Sequence, residues 1–398
     1  MQNNTKQGVL MAKRVFLIVL DSCGCGELPD AANFGDCGTH TIRSLVNSGK
    51  LRVPNLTQMG LFNINGIGCG TPAQSPAAAF GKCAERSAGK DTTTGHWEIA
   101  GLISTVPMKT YPNGFPDAVL DQLRAATGRE ILCNLPYSGT EVIRDYGKQH
   151  LETGALIVYT SADSVLQIAA HEDLIPVPEL YKICEKAREI MQGEFAVGRI
   201  IARPFVGTYP NFKRTANRHD YSVSPFAPTA LDLIQNAGKQ VISVGKIRDI
   251  FNGQGISEGH RTVSNDDGMG KTIQLAAQDF DGLCFVNLVE FDSAYGHRRD
   301  IAGYTHALNV FDAQLGALLP QLRDDDLLMI TADHGCDPAA HGTDHTREYI
   351  PLIVWGKQIK PVDLGIRTGF SDIGQTACEW LGVHADTLAG TSFLQDIL

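Results

Sequence analysis

Three apolar runs in this chain, Val15 to Leu20, Leu283 to Val289 and Leu327 to Thr331, each give way abruptly to acid: Asp21, Asp292 and Asp333. Runs of strand length with little polar alternation read as strands buried on both faces, the pattern of a parallel sheet between helix layers. In open α/β sheets, ligands collect where strands finish at their carboxyl edge. The three acids therefore fall where chemistry is usually done. Imidazoles follow two of them: His297 after Asp292, and His334 directly after Asp333, with Gly335 free to turn the backbone away. Farther along the last segment, His341, Asp344 and His345 can return to the same place.

The rest of the pattern fits this frame. Helical periodicity is read at His40–Ser48, Asn55–Leu61, Thr229–Ala237 (closed by Gly238), Met269–Gln278 and Ile301–Leu322. A final helix is capped by Ser371 and runs to Leu381. Val241–Val244 and Pro351–Trp355 add strands, and residues 63–79, rich in Gly, Ala and Pro, read as a loop. Between about 108 and 221 the texture changes. Helices at Asp117–Ala126, Glu141–Leu151 and Glu179–Met191 alternate with short strands at Ile131–Cys133, Leu156–Tyr159 and Val197–Ala202. The expectation is an α/β core with a largely parallel central sheet flanked by helices, built from 1–107 and 222–398. An α+β domain at 108–221 interrupts it, and residues 1–12 form a loose extension.

Composition narrows the function classes. A net charge of −10 with no basic run argues against nucleic-acid binding. No apolar run approaches the ~20 residues of a membrane span, and the first strand is too short for a signal-peptide core. Ten cysteines are scattered without a framework spacing, which suits reduced thiols in a cytoplasmic enzyme.

Three Asp and three His at the exits of separate buried strands supply ligands for two divalent cations. Carboxylate and imidazole without thiolate suit Mn²⁺, Zn²⁺ or Co²⁺ better than Ca²⁺ or Cu⁺. Two such cations can clamp a transferring phosphoryl group. They can also activate a hydroxyl nucleophile, which is weak at neutral pH. Thr92, Thr93 and Thr94 stand at a helix-opening turn within Gly89-Lys90-Asp91-Thr92-Thr93-Thr94-Gly95-His96-Trp97-Glu98, where a phosphate is welcome. Spacing does not choose among the three.

Five segments in order, Asp21, Gly-Lys-Asp-Thr-x-Thr-Gly-His-Trp-Glu (89–98), Phe-Asp-Ser-x-Tyr-Gly-His-Arg-Arg (291–299), Ala-Asp-His-Gly (332–335) and Gly-Thr-Asp-His-Thr-Arg-Glu (342–348), closely resemble the bacterial phosphopentomutase family of the alkaline phosphatase superfamily. The resemblance covers nearly the whole chain from Val15 onward. It implies an alkaline-phosphatase-like core and that Thr92 carries the phosphoryl group. One Mn²⁺ would be held by Asp21, Asp333, His334 and the Thr92 oxygen, a second by Asp292, His297 and His345. It prefers His345 to His341. The inserted domain would close over the pentose as a cap, with Asp163, Arg199, Ile201 and Lys246 as substrate contacts. Arg203, Arg218 and His96 are further candidates.

The resemblance further implies an isomerase that interconverts ribose 1-phosphate (and 2-deoxyribose 1-phosphate) with the 5-phosphate, through a pentose 1,5-bisphosphate. A sugar bisphosphate such as glucose 1,6-bisphosphate would be the activator. The expected chain is cytoplasmic and monomeric. Competing readings are a metal-dependent phosphomonoesterase or sulfatase, a metal-dependent phosphoglycerate mutase, and a non-enzymatic metal sensor. The Gly-Lys-Asp-Thr segment speaks against the mutase of phosphoglycerate.

Overall fold

The computed structural model describes residues 12–161 and 164–398. Most of the extension read at residues 1–12, and Asp163, therefore lie outside the described residues. The chain divides into two compact units: the larger takes in the described residues up to 106, then 225–248 and 253–398, and the smaller 107–224 and 249–252.

In the larger unit, eight strands form one sheet in the order Glu258–His260, Gln240–Val244, Gly282–Leu288, Arg14–Leu20, Asp326–Thr331, Ile350–Trp355, Ala79–Cys83, Asp363–Arg367. Arg14–Leu20, the first strand among the described residues, lies at the centre, parallel to both neighbours. Its register pairs Leu20 with Leu288 and Val19 with Thr331, so the three central strands finish level with one another. Their side chains are buried throughout, which is why the sequence shows apolar runs and no alternation. At the opposite edge Arg14 and Asp326, aligned in register, make a fully buried two-pronged ion pair at 2.8 and 2.6 Å. Ile350–Trp355 runs antiparallel to both of its neighbours, so the sheet is largely but not wholly parallel.

Several elements differ from the sequence reading for local reasons. The long helix stops at Leu318, and Leu319–Gln321 tightens into a 3₁₀ turn, because Pro320 has no N–H to continue the ladder. Ser371 is the first residue of its helix rather than its cap; Phe370 holds the cap position with no side-chain bond. Ala79–Cys83 and Asp363–Arg367 are strands that carry too few apolar residues to stand out. The segment after Asp292 is a wide turn of π-helix, Phe291–Gly296.

The smaller unit is a six-stranded sheet: Ile131–Pro136, Leu156–Thr160, Val165–His171, Arg199–Val206 and Lys213–Arg214 in order, with His219–Ser222 pairing alongside Arg199–Val206. Alternate residues serve opposite faces. Leu156, Val158, Leu166, Ile168, Ile200 and Ala202 pack under the helices Asp117–Thr127 and Val177–Ile190. Ile157, Tyr159, Ala169 and Phe205 meet Val142 and Ile143 of the helix Glu141–Thr153.

Candidate active site

The segment 89–98 builds one wall of the site, and almost every residue in it has a visible task. Asp91 caps the helix Thr92–Ile99, its Oδ1 accepting from the Thr94 amide at 3.1 Å and its Oδ2 from the Thr94 hydroxyl at 2.6 Å. That commits Thr94 and leaves Thr92, at the first helical position, to place its Oγ1 3.2 Å from His334 Nε2. Gly95 lets the helix lie against the Asp333 backbone: a Cβ there would meet the Asp333 carbonyl oxygen at 2.1 Å. Glu98 accepts the amides of Arg86, Ser87 and Phe370, tying this helix to two loops.

Across from it, the three strand ends deliver their acids. Ser22 takes a left-handed conformation (φ 69°), rare for a residue with a side chain, and so aims its N–H at Asp333 Oδ1 at 3.0 Å. Asn287, buried near the end of its strand, donates to Asp21 Oδ2 at 2.7 Å and lies 3.3 Å from His96 Nε2. In the π-turn the His297 amide reaches back to the Asp292 carbonyl, which leaves the two side chains together, His297 Nε2 3.1 Å from Asp292 Oδ2. One oxygen of each acid, Asp21 Oδ1, Asp292 Oδ1 and Asp333 Oδ2, is buried with no well-formed hydrogen bond, its neighbours being the imidazole nitrogens of His334, His345 and His96 at 3.6, 3.5 and 3.1 Å respectively. Three orphaned carboxylate oxygens in one place are costly unless a cation meets them.

The imidazoles are oriented for the same purpose. Nδ1 of His297, His334 and His345 sits 2.6, 3.0 and 3.0 Å from the backbone carbonyls of Thr343, Gly335 and Lys90 respectively. A carbonyl only accepts, so each Nδ1 carries its proton and each Nε2 turns toward the acids, as in metal-bound histidines. His334 Nε2 lies 3.6 Å from Asp21 Oδ1 and 3.3 Å from Asp333 Oδ2. His345 Nε2 lies 3.5 Å from Asp292 Oδ1 and 3.2 Å from His297 Nε2. Ligand atoms of Asp21, Asp333 and His334 fall within 4.8 Å of one another, as do those of Asp292, His334 and His345. The donor set fits divalent cations.

Charge in the site is finely divided. Burial, then the nearby Asp333 and Asp292 carboxylates, push Asp21 well above the ordinary carboxyl range. Burial acts the same way on Asp292, but His345 and His297 outweigh it and hold that carboxyl well below its usual value. His345 is pushed up to about 10: burial opposes the charge, and Asp292, Asp344 and Asp21 overcome it. His334 is lowered by burial.

The structure thus brings together Asp21, Thr92, Asp292, His297, Asp333, His334 and His345. His341, which spacing could not tell from His345, stays exposed. Lys246, exposed just beyond the strand Gln240–Val244, acts electrostatically on Asp21. In the smaller unit Arg199 is half-buried, 3.6 Å from Asp220, and Ile201 is buried in the same strand, opposite Asp220. Sequence reasoning missed Asn287, Ser22, Cys336 and Glu348. Only Glu348 lay in a quoted motif. Its buried carboxylate accepts from the Gly26 and Thr41 amides and the Thr41 and Thr346 hydroxyls, and so staples the loops behind His334 and His345.

The ten cysteines are all free thiols. Among the described residues no helix is long and apolar enough to cross a membrane.

Residues 13–385 match the family model described as the metalloenzyme superfamily. The phosphopentomutase of Lachnoclostridium phytofermentans is 53% identical over 388 residues, 97% of this chain and 99% of that protein. The phosphopentomutase of Caldanaerobacter subterraneus subsp. tengcongensis is 52% identical over 388 residues, 97% of this chain and 98% of the other. A solved protein from Pyrococcus horikoshii shares the fold, with a TM-score of 0.51 at 13% identity over 94% of this chain and 99% of that one. The α/β class with a largely parallel sheet expected from the sequence is the fold observed.

Proposed function

The chain belongs to the phosphopentomutase family, within the metalloenzyme superfamily, and from that premise we propose that it interconverts ribose 1-phosphate and 2-deoxyribose 1-phosphate with their 5-phosphates through a phosphorylated Thr92. The observation that carries the proposal is the Thr92 hydroxyl, 3.2 Å from His334 Nε2 and beside a ring of orphaned acids. The reaction is an isomerisation by phosphoryl transfer. Phosphorylated Thr92 donates its phosphoryl group to the free hydroxyl of a pentose monophosphate. The resulting 1,5-bisphosphate reorients, and the Thr92 oxygen takes the phosphoryl group back from the other end.

Asp21, Asp333 and His334 with the Thr92 oxygen would hold one divalent cation, and Asp292, His297 and His345 a second. Bound there, cations supply positive charge to the phosphoryl oxygens and acidify the Thr92 hydroxyl. The chain does the rest. Asp91 fixes the start of the helix, so that its amide dipoles favour the negative phosphoryl group beside Thr92. Ser22 and Asn287 hold Asp333 and Asp21 in place, and Glu348 holds the loops of His334 and His345.

The proposal extends to finer points carried by the family resemblance: Mn²⁺ as the ion, Asp163, Arg199, Ile201 and Lys246 as substrate contacts, the 108–221 domain as a cap, and a sugar bisphosphate such as glucose 1,6-bisphosphate as activator. A cytoplasmic, monomeric chain completes it; the free thiols favour a reducing compartment. The test is a coupled assay for ribose 5-phosphate from ribose 1-phosphate, with and without Mn²⁺ and a trace of the bisphosphate, joined to mass spectrometry of the Thr92 peptide. Isomer formation and phosphate on Thr92, both lost in Thr92→Ala, are expected. Steady release of inorganic phosphate without isomer would identify a phosphatase instead.

A further inference from the structure

A thiol stands at the edge of this site that the sequence reading, with its thiolate-free ligand set, did not count. Cys336 Sγ, a carboxylate oxygen of Asp292 and a ring nitrogen of His297 lie within 4.8 Å of one another. Cys336 is 2% exposed and Asp292 6% exposed, and Asp292 Oδ1 is one of the orphaned oxygens. The thiol's position is built. The Cys336 amide donates to the Ser22 carbonyl at 3.0 Å, fixing the residue to the turn behind Asp21. Gly296, inside the π-turn between Asp292 and His297, leaves the room the sulfur occupies: a Cβ there would meet Sγ at 3.0 Å. Among the described residues the S–H meets the Asp344 carbonyl at 3.6 Å, a weak bond that a cation can replace.

We propose that Cys336 gives the Asp292–His297 position a sulfur donor, so that thiophilic divalent ions such as Zn²⁺ and Cd²⁺ bind there through Asp292, His297 and Cys336. This rests on the reading of the cluster as a divalent-cation site. A hard ion takes oxygen and imidazole and leaves the thiol protonated. A soft ion gains a thiolate bond: the S–H proton passes to solvent, a sulfur lone pair forms the bond to the metal, and nothing is oxidised. The position therefore discriminates between ions, and thiophilic ions hold it against the hard ion.

The test titrates the full-length, metal-free chain with Cd²⁺ and separately with Mn²⁺, and repeats both with Cys336→Ser. Expected are a thiolate-to-cadmium charge-transfer absorption in the wild type, its loss in Cys336→Ser with an affinity for Cd²⁺ about tenfold lower, and unchanged Mn²⁺ affinity by electron paramagnetic resonance. With the exposed Cys37 and half-buried Cys69 changed to Ser in every protein compared, cadmium NMR reads the sulfur donor should Cys336→Ser fail to fold. Cadmium bound without a sulfur signature, or an absorption that persists in Cys336→Ser, overturns the inference. Wild-type chain that shows the cadmium–sulfur signal but takes up no Mn²⁺ would sink the two-cation reading and leave this one standing.

Discussion

His345 and His297 meet ring nitrogen to ring nitrogen, Nε2 to Nε2 at 3.2 Å, while the Nδ1 of each faces a backbone carbonyl. Two neutral rings held this way would oppose their lone pairs. Without metal, a proton on His345 resolves the conflict, and the same proton answers the negative charge of Asp292. A divalent cation resolves it better, since it also meets the orphaned Asp292 oxygen.

Metal uptake must therefore expel that proton. With His345 pushed up to about 10, it is protonated at pH 8 and neutral only above its pKa. Affinity at the Asp292–His297–His345 position is expected to rise with pH up to about 10, with about one proton released from His345 as that position fills. Calorimetry at pH 8 in buffers of different ionisation enthalpy measures the released proton. Chelation should in turn lower the melting temperature, since ligand present at about 100 times its Kd adds about 2.7 kcal/mol of stability.

Gly95→Ala should be damaging, although alanine in a helix interior normally stabilises relative to glycine. The added methyl would meet the Asp333 carbonyl oxygen at 2.1 Å, a backbone atom with nowhere to go. Overpacking of this kind costs about 1–3 kcal/mol. Relief requires the helix to back away, carrying Thr92 from His334, and a misplacement of this order costs about a hundredfold in turnover. Thermal melting and kcat, measured together, check both.

Asn287→Leu keeps the branched shape, in a somewhat larger side chain, and removes the N–H that favours the Asp21 carboxylate. Asp21, already raised by burial and by Asp333 and Asp292, should rise further. Its proton then competes with metal at higher pH, so the acid limb of metal binding moves upward. Affinity at neutral pH should fall about 10–100-fold. Metal titrations across the acid range in both proteins read the displacement.

Glu348 sets a stability slope. Burial pushes its carboxyl up to about 7 from an ordinary 4.5, so between those values the unfolded chain has lost this proton while the folded chain keeps it. Stability from this group therefore falls as pH rises from 4.5 to 7, by about 3 kcal/mol in all. Glu348→Gln can give its carbonyl to the Gly26 and Thr41 amides and its NH₂ to the Thr41 and Thr346 hydroxyls, which can accept. The variant should fold and should lack this part of the slope. Melting curves of the metal-free proteins across that pH range decide it.

Local sequence made the central strands legible, because a strand buried on both faces must be apolar at every position, and it made their terminal acids conspicuous. The helix start at Asp91–Thr92 was legible through its capping chemistry. Ala79–Cys83 was not, since its neighbours in the sheet, Ile350–Trp355 and Asp363–Arg367, are what make it a strand. Nor was Asn287, whose task is set by Asp21 and His96, both remote in the chain.

By itself the amino-acid order determined that apolar strands end in acid, that Asp-His and Asp-Thr pairs stand at turns, and that these pieces recur in one order. It left open which of His341 and His345, and which of Thr92, Thr93 and Thr94, stands beside the acids, and it gave Cys336 no place there. Parallel registers that bring the central strand ends level, and Gly95, which lets helix and loop touch, put Thr92, His345 and Cys336 beside the acids. The physical reason is that periodicity and capping act over a few residues. Convergence of charges depends on hydrogen bonds and close contacts between segments far apart in the chain, which exist only once the sheet has closed.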